Sequence, residues 1–377
     1  MPVSVIDLIT AIETRLKKVS TQSLDLSFNE LLDMYDNHEL DISPDYQRLF
    51  KWSEGARSRF IESLLLEMPV PPIYVVEEED NKYLLIDGLQ RISSYLHLRG
   101  KLNAPQLDPP VAEGEKLLLT DCDIVQELNG KTFDDLGTAL QIKLKRAFIR
   151  VEVVRKGSDS RFKYHMFKRL NTGGEPLTPQ QLRNCSIRLL SPKFIEFIKK
   201  LRTREHFQTC TSTLNNERIL DAFDEELILR FFAFRNNLAG FKHDISDFLT
   251  EYMEGVSDPT DPVPFNYNEQ ETAFDKTFSI LAATLGDDSF TYAHKQTKKL
   301  TKGFGVLQFE AFTIGLQPHL DRLDAANRDL MGRLETRLRA LKVEEEFIDA
   351  TSGGGKNSPG LLKARIERVV TVVAEIQ

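Results

Sequence analysis

The feature that most constrains this chain is a change of character near residue 190. Before it, short runs of β-type residues alternate with helical runs; after it almost every segment carries helical periodicity. That pattern predicts an α+β domain with a small mixed sheet over residues 1–190 and an all-α helical domain over 191–377. A length of 377 residues suits roughly two cores.

In the first half, Pro72-Ile73-Tyr74-Val75-Val76 and Lys82-Tyr83-Leu84-Leu85-Ile86 read as buried strands flanking the acidic turn Glu78-Glu79-Asp80-Asn81. Leu40-Asp41-Ile42 reads as a short extended piece, and further strands are expected over 116–119 and 147–154. Helices are expected over 3–16, from the capping box Ser27-Phe28-Asn29-Glu30, from Ser53, and over 89–99 and 158–170. In the second half, stripes such as Phe194/Ile195/Phe197/Ile198, Leu227/Ile228/Phe231/Phe232 and Leu330/Leu334/Leu338/Leu341 mark helices. Gly353-Gly354-Gly355 reads as a flexible joint.

Composition narrows the function. With 41% hydrophobic and 28% charged residues the chain is globular rather than disordered. No run approaches the ~18 apolar residues of a membrane span, and the N-terminus lacks a signal-peptide pattern. Cys122, Cys185 and Cys210 stand far apart with no C-x-x-C spacing, which points to reduced thiols and a cytoplasmic location. A net charge of -8 excludes a cationic DNA-coating protein but leaves room for a local basic groove. Lys143, Lys145, Arg146, Arg161, Lys163 and the Lys295-Lys298-Lys299-Lys302 face could supply one, although a solvated helix surface explains such runs equally well. The seven histidines are scattered; there is no H-E-x-x-H, G-x-S-x-G, G-x-G-x-x-G or H-N-H-like cluster.

Three constellations remain. Asp87-Gly88-Leu89-Gln90-Arg91 joins a strand to a helix: the carboxylate can hold a metal or accept a proton, and glycine lets backbone approach a ligand. The new helix offers N–H groups to an anion, Arg91 a phosphate-binding fork, and Gln90 an amide to orient water. Backbone geometry alone would also explain Asp-Gly there. Pro44-Asp45-Tyr46-Gln47-Arg48-Leu49-Phe50-Lys51-Trp52 mixes aromatic and cationic side chains suited to a base and its phosphate, or to plugging an interface. Lys168-Arg169-Leu170-Asn171-Thr172-Gly173-Gly174 forms either an anion nest or a C-cap leading into the next helix, which Thr178-Pro179 starts.

In order, these segments resemble the GmrSD-type restriction endonuclease N-terminal domain family, within the ParB/sulfiredoxin-like fold group. The resemblance rests on Pro44, Tyr46, Gln47, Arg48, Phe50 and Trp52, then Pro69-Val70-Pro71-Pro72-Ile73, then Ile86-Asp87-Gly88-Leu89-Gln90-Arg91 against the family's I-D-G-Q-Q-R. It continues through Phe167, Arg169, Asn171, Gly173 or Gly174, Leu177 and Thr178, and covers roughly residues 25–190. Leu89 departs from the family pattern, as does Gln181 where a glutamate is common.

The resemblance implies a domain that binds and hydrolyses an NTP with Mg²⁺, in a bacterial defence protein acting on or sensing foreign DNA. Asp87, Gln90 and Arg91 would be catalytic, with Asp87 also the metal ligand. Tyr46, Gln47, Arg48, Gly88, Lys168, Arg169, Asn171, Gly173 and Gly174 would bind nucleotide or phosphate. The implied partners are nucleotide, DNA, a separately encoded nuclease or defence protein and a second copy of the chain, with no membrane. The alternative is a non-enzymatic nucleotide- or DNA-binding module that works with a separate nuclease.

Overall fold

The computed structural model describes residues 20–42, 52–104, 110–159, 178–188, 190–242, 244–351 and 358–376, with Ile9, Glu13, Phe162, Met166 and Arg169 singly. Most of the helix expected over 3–16, the segment 43–51, the turn 170–177 and the joint 352–357 lie outside these residues. Two compact units form, Met1–Leu177 and Thr178–Gln377.

The first unit is built on a five-stranded mixed sheet in the order β1-β5-β3-β4-β2. Its strands are β1 (Thr21–Ser27), β2 (Leu40–Asp41), β3 (Ile73–Glu77), β4 (Tyr83–Asp87) and β5 (Phe148–Val154). Strand β5 runs antiparallel to β1 and parallel to β3; β4 runs antiparallel to β3 and parallel to β2. Helices α1 (Phe28–Asp36), α2 (Glu54–Leu65), α3 (Leu89–Leu98) and α4 (Gly137–Arg146) add to this core, as do loop residues between Leu102 and Leu136 such as Leu117, Leu119 and Leu128. Phe28, Ile61, Ile92, Tyr95 and Leu144 pack in one cluster with Ile73, Val75, Leu85, Ile149 and Val151. Each fully buried aliphatic or aromatic side chain contributes about 1.5–3 kcal/mol.

The local signals act as expected at two helix starts. Ser27 Oγ accepts from Glu30 N at 3.1 Å and Ser53 Oγ from Ala56 N at 3.2 Å, each satisfying a donor that the helix leaves open. Two features differ from the sequence reading. Residues 116–119 are not a strand: Leu117 and Leu119 are buried, but their N–H groups bond to His97 O and Lys131 O in a folded loop. Strand β1 carries almost no sequence signal, because only Leu24 and Leu26 of its seven residues are apolar and its other side chains face water or the rim.

The second unit is all helical among its described elements, apart from one isolated β-bridge. Its longer helices are α5 (Pro179–Arg188), α6 (Lys193–Arg202), α7 (Phe223–Asn237), α8 (Ile245–Ser257), α9 (Tyr267–Thr284), α10 (Val306–Gly315), α11 (Arg328–Val343) and α12 (Pro359–Ala374). Rings of Phe231, Phe232, Phe274 and Phe278 meet with centroids 4.5–6.1 Å apart at the centre. No described helix is long and apolar enough to cross a membrane.

Through this core runs a buried chain of alternating charges. Arg183 Nη2 on α5 meets Glu226 Oε2 on α7 at 2.6 Å, and Glu226 Oε1 meets Arg230 Nη2 at 2.8 Å. Arg230 Nη1 reaches Glu310 Oε1 on α10 at 2.7 Å, and Glu310 also pairs with Arg365 on α12. Removing one member leaves its partners charged and desolvated. Glu310→Ala is therefore expected to destabilise the helical unit by about 3–5 kcal/mol. Urea unfolding followed by helical circular dichroism checks this; an unmoved midpoint would refute it.

Candidate functional site

Strand β4 ends at Asp87, which lies opposite Tyr74 next to an irregularity in the β3 pairing. Gly88 then turns the chain with φ +108° and ψ 12°, and α3 begins at Leu89 with no side chain capping it. Only glycine suits this point. A Cβ there would lie 2.3 Å from Ile73 Cγ2, and the backbone occupies the left-handed region that L side chains avoid. The turn thus places a carboxylate, a close backbone approach and an uncapped helix N-terminus side by side.

From this turn the α3 residues diverge. Leu89 is 4% exposed and belongs to the core, so its departure from the family's glutamine serves packing. Arg91 folds back, and its Nη2 meets Asp87 Oδ2 at 2.7 Å. Asp87 keeps 37% of its side chain exposed, against 13% for Arg91. Among the described residues Arg91 Nε is buried with no hydrogen-bond partner.

Gln90 reaches across to α2. Its Oε1 accepts from Trp52 N at 3.3 Å, while Arg57 Nε donates to Trp52 O at 3.1 Å. Arg57 Nη1 also donates to His97 Nδ1 at 3.1 Å, with His97 only 3% exposed. Burial, assisted by the Arg57 cation, pushes the His97 pKa down to about 4, so the ring is neutral and its Nδ1 accepts. The Trp52 ring lies 5.7 Å from Phe60, so packing as well as backbone hydrogen bonds holds this residue against the core.

The described structure therefore brings Asp87, Gly88, Gln90 and Arg91 together. Arg169 is helical and exposed. Tyr46, Gln47, Arg48, Lys168, Asn171, Gly173 and Gly174 lie outside the described residues. Gln181 starts a helix through its side chain, whose Oε1 accepts from Thr178 N at 3.0 Å, and Thr178 Oγ1 accepts from Gln181 N at 3.3 Å. That reciprocal capping box opens α5, and a glutamine makes it as a glutamate would. Among the described residues no group of three or more His, Cys, Asp and Glu side chains could hold a metal, so Asp87 brings a single carboxylate. Sequence reasoning missed Arg57 and His97. The available signal was the seven-residue spacing of Gln90 and His97, which puts both on one side of α3.

The class defined by these observations is an α+β domain whose sheet leads through an Asp-Gly turn into an arginine-bearing helix, joined to an all-α unit. Residues 28–188 match the family model of the GmrSD restriction endonuclease, N-terminal domain, so over that span the chain carries the domain its motifs resemble. No curated protein and no solved structure matches the chain.

Two outcomes test the turn and its support. Gly88→Ala is expected to cost at least about 1–3 kcal/mol, from backbone strain and the Ile73 contact, read as a lower urea midpoint. For His97, the unfolded chain gains a proton near pH 6.5 while the folded ring stays neutral down to about 4. Its contribution is thus intact above pH 6.5 and declines as pH falls toward 4, by about 3 kcal/mol across that window. Urea midpoints between pH 4 and 7 should show a slope that His97→Gln flattens; an unchanged slope would contradict the assignment.

Proposed function

We propose that this is a restriction-type defence protein whose GmrSD N-terminal domain binds a nucleoside triphosphate at the Asp87–Arg91 turn and hydrolyses it while acting on or sensing foreign DNA. The family match supports the defence role. The observation that carries the nucleotide site is the buried, unpartnered Arg91 Nε beside the uncapped start of α3. Phosphate oxygens are strong acceptors, and helix N–H groups with a guanidinium are the donors they require. The ParB/sulfiredoxin-like arrangement implied by the motifs belongs to the same proposal.

The chemistry asked of the protein is positioning and charge stabilisation. Arg91 and the α3 N-terminus would neutralise phosphate charge, and Gly88 would let the phosphates approach the backbone. Asp87 can hold Mg²⁺ through its exposed carboxylate: one protein carboxylate together with substrate phosphates and water is an ordinary Mg²⁺ donor set. That ion would offset the negative charge of the phosphates. Gln90, fixed through Trp52, would orient water or substrate. Tyr46, Gln47, Arg48, Lys168, Arg169, Asn171, Gly173 and Gly174 are the further phosphate- and base-binding residues of this proposal.

The experiment is phosphate release from each NTP with Mg²⁺, with and without DNA, for wild type, Asp87→Asn and Arg91→Gln. Turnover should fall by roughly a hundredfold or more in Asp87→Asn, with nucleotide binding weakened most in Arg91→Gln. Hydrolysis surviving in Asp87→Asn would overturn the site. The Arg91–Asp87 pair, which already engages one carboxylate oxygen, favours a second reading in which nucleotide is a regulatory ligand. Tight binding by wild type without release of phosphate would establish that reading.

A further inference from the structure

Among the described residues of the first unit the most exposed large apolar side chain is Phe148, at 68%. It starts β5, whose alternation buries Ile149 and Val151 and sends Phe148 and Arg150 to the open face. Packing gives no reason for an aromatic ring at that position. Phe148 also lines a groove of about 850 Å³, floored by Met68, Pro69, Val70 and Ile142. Its cations are Lys143, Arg146 and Arg150, and its carboxylates Asp25 and Glu67.

Two of these cations are held in surface pairs: Lys143 with Glu67 at 2.9 Å, and Arg150 with Asp25 at 2.9 Å. All four side chains are more than 40% exposed; the single-contact Lys143–Glu67 pair contributes little and leaves the ammonium open to a phosphate, whereas Arg150 grips Asp25 through two bonds, at 2.9 and 3.0 Å. Arg146 has no ion-pair partner among the described residues and stands two residues before the exposed ring. An exposed ring between arginines, over an apolar floor, has the parts that a single-stranded nucleic acid engages: a face for an unstacked base and cations for the backbone. Duplex DNA hides its base faces and would leave the Phe148 ring with nothing to stack on.

We infer that the groove between α4 and β5 is a binding site for single-stranded nucleic acid, with Phe148 stacking on a base and Arg146 and Lys143 taking the phosphates. This deepens the DNA half of the proposed function and does not depend on the nucleotide half.

The test is fluorescence anisotropy of the full chain with end-labelled oligothymidylate, oligouridylate and duplex DNA of about twelve nucleotides per strand, over a range of salt. Wild type should bind the single strands in preference to the duplex, and the thymidylate and uridylate arms decide between DNA and RNA. Phe148→Ala should weaken binding by about tenfold or more with the salt slope unchanged. Arg146→Gln should lower that slope by about 0.7, the share of one single-strand phosphate contact. Both positions lie at the surface, and unchanged thermal unfolding would show that the fold is kept. Equal binding by wild type and both variants would overturn the site while leaving a DNA role intact. No binding to single strands alongside normal NTP turnover would overturn this inference and spare the nucleotide site. Weaker self-association of Phe148→Ala with no oligonucleotide bound would reassign the groove to a protein contact.

Discussion

The first unit depends on the close approach at Gly88. Strand β4 and helix α3 can join in one residue only because no Cβ stands between the backbone and Ile73. From that junction the helix directs Leu89 and Ile92 into the core and folds Arg91 back onto Asp87, while Gln90 grips Trp52. A bulkier residue would push strand and helix apart and disturb packing and site together. Fold and chemistry are coupled here through one backbone angle.

The support around this turn is polar where an apolar core would be simpler. Arg57, 8% exposed, bridges the Trp52 carbonyl and a neutral His97. Burying a guanidinium is costly, and what it provides is direction: Gln90 and Arg57, the latter steadied by His97, fix the two peptide units that flank Trp52. Glu62 works similarly beneath the 120s loop, accepting from Ile124 N at 3.1 Å and Val125 N at 2.6 Å while 1% exposed. Helix α2 thus holds two neighbouring segments by charged side chains directed inward.

Much of this was legible in the sequence, for identifiable reasons. Strands β3 and β4 are continuous apolar runs, and Ser27 and Ser53 announce their helices through side chains that act locally. The Asp-Gly-x-Gln-Arg spacing marked the turn, since glycine and a residue four positions apart from Asp87 have fixed geometry at a helix start. Strand β1 was hidden because its pairing with β5 is long-range and its apolar content slight. Leu117 and Leu119 mimicked a strand because burial alone produces an apolar alternation. The spacing of Gln90 and His97 placed both on one side of α3, but Arg57 was hidden because its partnership with His97 joins different helices.

In the alternating chain Arg183–Glu226–Arg230–Glu310–Arg365 each glutamate stands between two arginines. Replacing either glutamate leaves the guanidiniums on its two sides buried without the carboxylate between them, whereas an apolar set of matching volume could replace all five at once. In descent each glutamate should therefore change only together with the arginines on its two sides. Their shared history would be written by electrostatics, independent of whatever ligand selects the first unit.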